Sequence, residues 1–312
     1  MNKLFYVTDV ENTHVLIYFL GIKLKVLKKH IKKRKNVFPK GTDITKIPPA
    51  EGLLRQLQLA ELSLIKEVDE VCSKNNLQYW LDWGTLLGSY RHKGFIPWDD
   101  DVDLAMMRTD LEKFSKIFNE QVTNKDVYCE PFVDEHNPTK YFLKIRHKKI
   151  SQISIDIFVM DFYYKKLDLK QKIKMSKYLH LLRKVVSLKK NFNFTVEQQY
   201  SRIKDLTRKF ILNNKKVNIE DKPDVYFGLD FPHNYKRGFL DYEEVFPLKK
   251  VQFENLQLFV PNKDFDVLVA EFKTPMAFPK YMYAHHIDNS QFSNEELELL
   301  KKIEEDYNNS KI

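Results

Sequence analysis

Four aspartates fall within five positions, Asp99, Asp100, Asp101 and Asp103, and oxygen ligands in that density are what hard divalent cations take. They close a window, residues 80–103 (WLDWGTLLGSYRHKGFIPWDDDVD), that holds all three tryptophans and three of the eight glycines, Gly84, Gly88 and Gly94. Read as a strand over Asp99–Met106, period-two geometry puts Asp99, Asp101 and Asp103 on one face and Asp100, Val102 and Leu104 on the other. A run of acids is ordinarily a solvated face. Alternation with Val102 and Leu104 after Pro97-Trp98 places this one in a strand that needs counter-charge, so Asp101 and Asp103 are expected to share a metal. Asp156, between Ile155 and Ile157, is the candidate third carboxylate, with a polar residue on the solvent face of an edge strand as the open alternative. Upstream, Gly88-Ser89 is expected in a turn whose backbone N–H groups face phosphate.

Several elements must position these groups. Leu53, Leu57, Ala60, Leu64, Val68 and Val71 recur at three- and four-residue steps, which predicts a helix from about Ala50 to Lys74, ended by Asn75-Asn76. Leu77–Asp82 is a short strand, Gly84–Tyr90 a Gly-punctuated turn or helix start, and Thr109–Glu120 a helix with Leu111, Phe114 and Phe118 on one side. Tyr141–His147 and Ser151–Tyr163 alternate like two strands joined at Lys148–Ile150. Lys165–Lys216 reads as helical and basic, with Thr195-x-x-Gln198 resembling a capping box. Residues 223–284 hold short strands such as Val251–Phe253 and Leu256–Val260, and Ser293–Tyr307 is an acidic helix or tail.

A chain of 312 residues with 43% hydrophobic and 30% charged content is globular and builds a proper core. The formal charge of +9 is local, because Lys23–Lys35 (KLKVLKKHIKKRK) holds eight basic residues and no acid. Without it the chain is nearly neutral and lacks a second basic, aromatic-interleaved stripe, so nucleic acid is not expected as a partner. The apolar run Val15–Ile22 before it is far shorter than the ~20 residues of a bilayer span, and no cleavage-site pattern marks a secretory signal. Two readings stay open for this arm: contact with an anionic cytoplasmic leaflet, or a solvated amphipathic helix or tail packed on the body. Cys72 and Cys129 make neither a disulfide framework nor a zinc site; Cys72, beside an apolar helical stripe, reads as a buried free thiol, and a cytoplasmic protein is expected. The expected division is a basic arm and linker over 1–49, a catalytic domain over 50–290 and an acidic C-terminal segment over 291–312.

GTLLGSYRHKGFIPWDDDVDLAM resembles the signature of the LicD family of phosphocholine and phospho-alcohol transferases, which includes fukutin and fukutin-related protein. SIDIFVMD is similar to the family's second block, and residues 245–272 to its C-terminal block. The resemblance implies an α/β (α+β) nucleotidyltransferase fold of the polymerase β type: a mixed sheet flanked by helices, with a helical insertion at about 165–216. It implies that Asp101, Asp103 and Asp156 hold Mg²⁺ or Mn²⁺. The implied reaction moves phosphocholine, or a polyol or glycerol phosphate, from a CDP-linked donor to a hydroxyl of a glycan or lipid-linked glycan in capsule, lipopolysaccharide or teichoic acid. Gly88, Ser89 and Arg91 are then expected on donor phosphate, with His92 and Lys93 equally readable as a solvated turn. Trp98, like Trp83, would stack on cytosine or choline or belong to the core, where Trp80 is expected; His285-His286 reads as incidental. Two other functions share the sequence: nucleotidyl transfer from an NTP, and a non-catalytic scaffold of a polysaccharide assembly complex.

Overall fold

The computed structural model describes residues 5–10, 14–19, 22–27, 34–35, 41–134, 137–163, 198, 217–227, 240–279, 281–282 and 289–309. It divides into two units, one of residues 1–42 with 278–283, the other of residues 43–277 with 284–312. The first contains strands β1 (Phe5–Val10), β2 (His14–Phe19) and β3 (Ile22–Leu27) in an antiparallel meander, and β4 (Arg34–Lys35) paired with β13 (Tyr281–Met282). Its first basic residues, Lys23 and Lys25, lie in β3 opposite Tyr18 and Leu16. At Ile22–Leu27 that corrects the expectation of an amphipathic helix. IKLKVL alternates apolar and basic residues, and a period of two is a strand's, not a helix's.

The second unit carries the acidic window. Its helix α1 (Gly52–Lys74) follows the expected stripe and ends at Asn75, whose side-chain amide returns to the Val71 carbonyl at 2.8 Å. Then come β5 (Tyr79–Leu81), α2 (Trp83–His92), β6 (Val102–Met107), α3 (Arg108–Gln121), β7 (Val127–Asp134), β8 (Asn137–His147) and β9 (Ile150–Tyr163). After them lie β10 (Asp224–Phe227), a single helical turn α4 (Tyr242–Val245), the hairpin β11 (Lys249–Phe253) and β12 (Leu256–Val260), α5 (Asp264–Phe272) and α6 (Asn294–Asn309). Apart from Gln198, which is helical, the expected helix over Lys165–Lys216 and its Thr195 cap lie outside the described residues, as does His285-His286.

The sheet runs β5-β6-β9-β8-β7, with β10 on the far part of β9. Only β6 and β9 are parallel; the other pairs are antiparallel. This is a mixed α/β architecture with helices against a mixed sheet. One face buries Leu104, Leu143, Ile145, Ile153, Ile155 and Ile157 in a core shared with α1, α3 and α6 (Leu64, Val68, Phe114, Phe118, Leu300). The other face is covered along part of its length by a second cluster, in which Trp80, Ala105, Phe142 and Met160 meet Val225, Tyr226, Val245 and Phe246. Alternation along β6, β8 and β9 puts Asp103, Lys144 and Asp156 on this second face, beyond the apolar cover. The polar residues of three strands thus gather at one end of a half-covered sheet.

Candidate active site

Asp103 and Asp156 are direct neighbours in the parallel register of β6 and β9, and adjacent strands run about 4.8 Å apart. Asp99, Asp100 and Asp101 differ from expectation: they precede β6 in a loop. Pro97 supplies no backbone donor, and the chain turns with the Asp99 N–H donating to the Ile96 carbonyl at 3.0 Å. From α1, the wholly buried Gln58 amide donates to the Ile96 and Asp99 carbonyls at 3.1 and 2.8 Å. The loop still converges on the strand. Asp101, exposed, is felt by Asp103, Asp156 and Glu61 alike.

These carboxylates push one another up. Burial first, then Asp101, Asp156, Asp82 and Asp99 raise Asp103 well above the usual carboxylate range. Asp156 is raised by burial although Lys144 and Arg146 oppose it, and the Lys144 ammonium stands 2.5 Å from its Oδ1. Glu61 of α1 is 2% exposed, its Oε2 has no hydrogen-bond partner among the described residues, and burial with the charges of Asp101, Asp100, Asp99 and Asp103 raises it strongly. An all-oxygen set of mutually repelling carboxylates fits a hard cation in chemistry. Among the described residues, no three His, Cys, Asp or Glu side chains are disposed to hold an ion by themselves. Mg²⁺ needs no such cage, since it commonly takes one or two carboxylates together with substrate phosphates. The donor set fits Mg²⁺ on that basis.

The residues expected on donor phosphate have protein partners in this structure. Gly88 and Ser89 sit inside α2 rather than in a turn, where the helical ladder uses their N–H groups. Ser89 Oγ donates to the Leu86 carbonyl at 2.7 Å. Gly88 is small for packing: a Cβ there would stand 2.5 Å from the Gly94 carbonyl oxygen and 3.1 Å from the Ile96 nitrogen. The buried Arg91 guanidinium donates to the Pro275 and Ala277 carbonyls, and burial lowers its pKa to about 10. His92 is pushed down to about 4 by burial and by Arg91, its ring set edge-on to Trp98 at 6.3 Å. Trp98 packs on the larger core cluster, Trp83 on the smaller one, and Trp80 is 1% exposed within the latter. Lys93 is exposed and ends α2 in a left-handed conformation.

Other residues, unmarked in the sequence reading, hold the acidic loop. Thr85 Oγ1 accepts from the Asp103 N–H at 2.9 Å, and Asp82 N–H donates to the Asp103 carbonyl at 3.0 Å. Gly84 leaves room for Asp99, whose Oδ2 would stand 2.7 Å from a Cβ. Glu254, in the β11–β12 turn, receives Arg55 at 3.0 and 2.8 Å, Tyr307 at 3.0 Å and the Phe95 N–H at 3.3 Å. One signal was legible in advance: Gln58 and Glu61, three apart, interrupt the buried side of α1 with polar groups.

Residues 76–194 match the family model LicD/FKTN/FKRP, nucleotidyltransferase domain. That stretch of the chain is similar to the LicD-family domain. Its α2–β6 window and the parallel β6–β9 pair both lie inside the matched stretch. Among similar proteins, an uncharacterised protein of Rickettsia typhi is 46% identical over 59 residues, 19% of each chain. The lipopolysaccharide cholinephosphotransferase LicD of Haemophilus influenzae is 42% identical over 65 residues, 21% of this chain and 24% of that one. The human ribitol 5-phosphate transferase FKRP is 29% identical over 82 residues, 26% of this chain and 16% of that one. The matches span about a fifth of the length of these curated relatives.

Proposed function

We propose that the protein transfers a phospho-alcohol from a CDP-linked donor to a glycan hydroxyl, with Mg²⁺ or Mn²⁺ held by carboxylates of the set Asp101, Asp103 and Asp156 together with donor phosphate oxygens. The observation that carries this reading is the side-by-side placement of Asp103 and Asp156 on parallel strands within the LicD-family domain. The relatives named as a cholinephosphotransferase and a ribitol 5-phosphate transferase support the class of group moved. A bound divalent cation supplies charge neutralisation of the pyrophosphate and alignment of attacking and leaving oxygens.

This chain's residues do the rest. The acceptor oxygen attacks the phosphorus that bears the alcohol, the bond from that phosphorus to the bridging oxygen breaks, and CMP leaves with that oxygen. Asp156 takes the acceptor's proton; a carboxylate raised by burial is a better base than a solvated one, and Lys144 beside it limits the rise. The Thr85 and Gln58 contacts fix Asp103 and the Asp99 carbonyl before substrate arrives, so little reorganisation is left for the reaction. No described helix is long and apolar enough to cross a membrane. A cytoplasmic protein held at the leaflet through Lys23–Lys35 belongs to the same reading, because a lipid-linked glycan acceptor lies at a membrane.

CMP release from a panel of CDP-alcohols (choline, ribitol, glycerol), with Mg²⁺ or Mn²⁺ and lipid-linked glycan, tests the reading. Metal-dependent CMP release with one head group is expected. Pyrophosphate release from an NTP would point to nucleotidyl transfer instead. No turnover with any donor would leave the scaffold.

A further inference from the structure

A transferase acting on a pyrophosphate needs cations within reach of its carboxylates, and Arg91 and the Gly88-Ser89 amides are committed elsewhere. The described face of the sheet offers another set. In the register Glu130 pairs with Lys144 and Lys144 with Asp156; one row on, Tyr128 pairs with Arg146 and Arg146 with Ser154. Side chains two apart share a face, about 7 Å along the strand. Tyr128, Glu130 and Arg146 therefore lie on the same face as Asp156, Glu130 in the row of the Lys144–Asp156 pair and Tyr128 and Arg146 one row on. A pocket of about 460 Å³ opens there, lined by Tyr128, Glu130, Arg146, His147, Lys148 and Ser151. That volume lies within the range of small-molecule sites.

We propose that this pocket is the subsite for the nucleoside-diphosphate portion of the donor, with Arg146 and Lys144 on phosphate and the Tyr128 ring against the nucleoside. The proposal rests on the transfer reading given above and deepens it by placing the donor on β7 and β8 rather than on α2. Arg146 already faces an oxyanion: its Nε lies 2.5 Å from Glu130 Oε1 as an ion pair, without the alignment of a hydrogen bond. The Glu130 side chain is 42% exposed, and a half-exposed ion pair is worth only about 0–1 kcal/mol, so phosphate can replace it. The guanidinium fork suits phosphate oxygens. Asp156 lies between the two sets of charges, with Asp103 beside it on β6 and Lys144 beside it on β8. A pyrophosphate reaching from cation row to carboxylates therefore puts its reacting phosphorus beside Asp156. The rim is fixed: Ser151 N–H and Oγ both donate to Glu296 at 2.9 Å, and Lys148 Nζ donates to the Lys125 carbonyl at 2.6 Å.

The test is calorimetric binding of CDP and of inorganic pyrophosphate to the full chain, with Mg²⁺ and with EDTA. Loss of a charged partner to phosphate predicts that Arg146→Ala weakens both ligands about tenfold or more, equivalent to 1.4 kcal/mol, with Arg146→Lys in between. Tyr128→Ala weakens CDP and leaves pyrophosphate unchanged, which a merely structural role would not separate. Arg146→Gln carries the same test if the alanine variant does not fold. Affinities within twofold of wild type in folded Arg146 variants, or no binding of either ligand by wild type, overturn the subsite. Arg146-dependent CDP binding without CMP release from any CDP-alcohol keeps the subsite and removes the transfer reading. CMP release with Arg146-independent binding does the reverse.

Discussion

Replacing Glu254 by alanine tests whether the acidic loop is held from outside the LicD signature. Its carboxylate accepts two bonds from Arg55, one from Tyr307 and one from the Phe95 N–H, and both side chains of the ion pair are only 11% exposed. Alanine strands a buried guanidinium whose remaining neighbours are Gln58 Oε1 at 3.5 Å and the Tyr307 ring at 5.6 Å. Breaking a buried pair from one side costs about 3–5 kcal/mol, whereas removing both partners for apolar groups of similar volume is often nearly neutral. Glu254→Ala is therefore expected to lose about 3–5 kcal/mol in urea unfolding, and Arg55→Met with Glu254→Leu much less. The pH dependence adds a sign. Burial raises Glu254, but the hydrogen bonds and charge of Arg55, with Tyr307 and the Phe95 amide, bring it below the usual carboxylate value. A depressed folded pKa gives stability that is fully present above the unfolded value of about 4.3 and is lost as pH falls through the folded one. Wild type should lose more stability below that value than Glu254→Gln does. A single-variant loss under about 1 kcal/mol, or a double variant as unstable as the single, would refute the clamp.

Further outcomes follow from the same contacts. Gly88→Ala should destabilise by about 1–3 kcal/mol in thermal melts despite a helix-propensity gain of about 1 kcal/mol, because its Cβ meets the Gly94 carbonyl oxygen at 2.5 Å. Glu61→Gln should raise stability at neutral pH in EDTA. The raised Glu61 makes the folded state hold its proton more tightly, so wild-type stability falls as pH climbs past the unfolded value and the glutamine variant lacks that fall; parallel stability–pH curves would contradict this. Asp156→Asn should slow CMP release about 10²–10⁴-fold while leaving the melting temperature near wild type, and undiminished release would remove Asp156 as base.

The elements of the second unit were largely legible along the chain. The stripe from Leu53 to Val71 marks α1, and alternation over Tyr141–His147 and Ser151–Tyr163 marks β8 and β9, which extend to Asn137 and Ile150. These succeed because burying one face imposes a period that needs no partner to be recognised. In the first unit the alternation in IKLKVL carries the same kind of signal and coincides with β3.

Local chemistry was a poorer guide to position. A Gly-Ser pair has the same composition in a phosphate turn and inside a helix, and only the closeness of Gly94 and Ile96 shows why position 88 of α2 carries no side chain. Arg91 has a fork suited to phosphate, yet its partners lie at Pro275 and Ala277, 184 and 186 residues away. By residue chemistry alone the sequence marks a dense acidic run and one aspartate between isoleucines, but not Glu61, whose charge neighbours are the same aspartates. That Asp103 and Asp156 stand side by side was decided by the parallel pairing of β6 with β9, and that Lys144 and Arg146 share their face by the register of β8. Strand order and register depend on contacts between distant segments, and no local pattern encodes them.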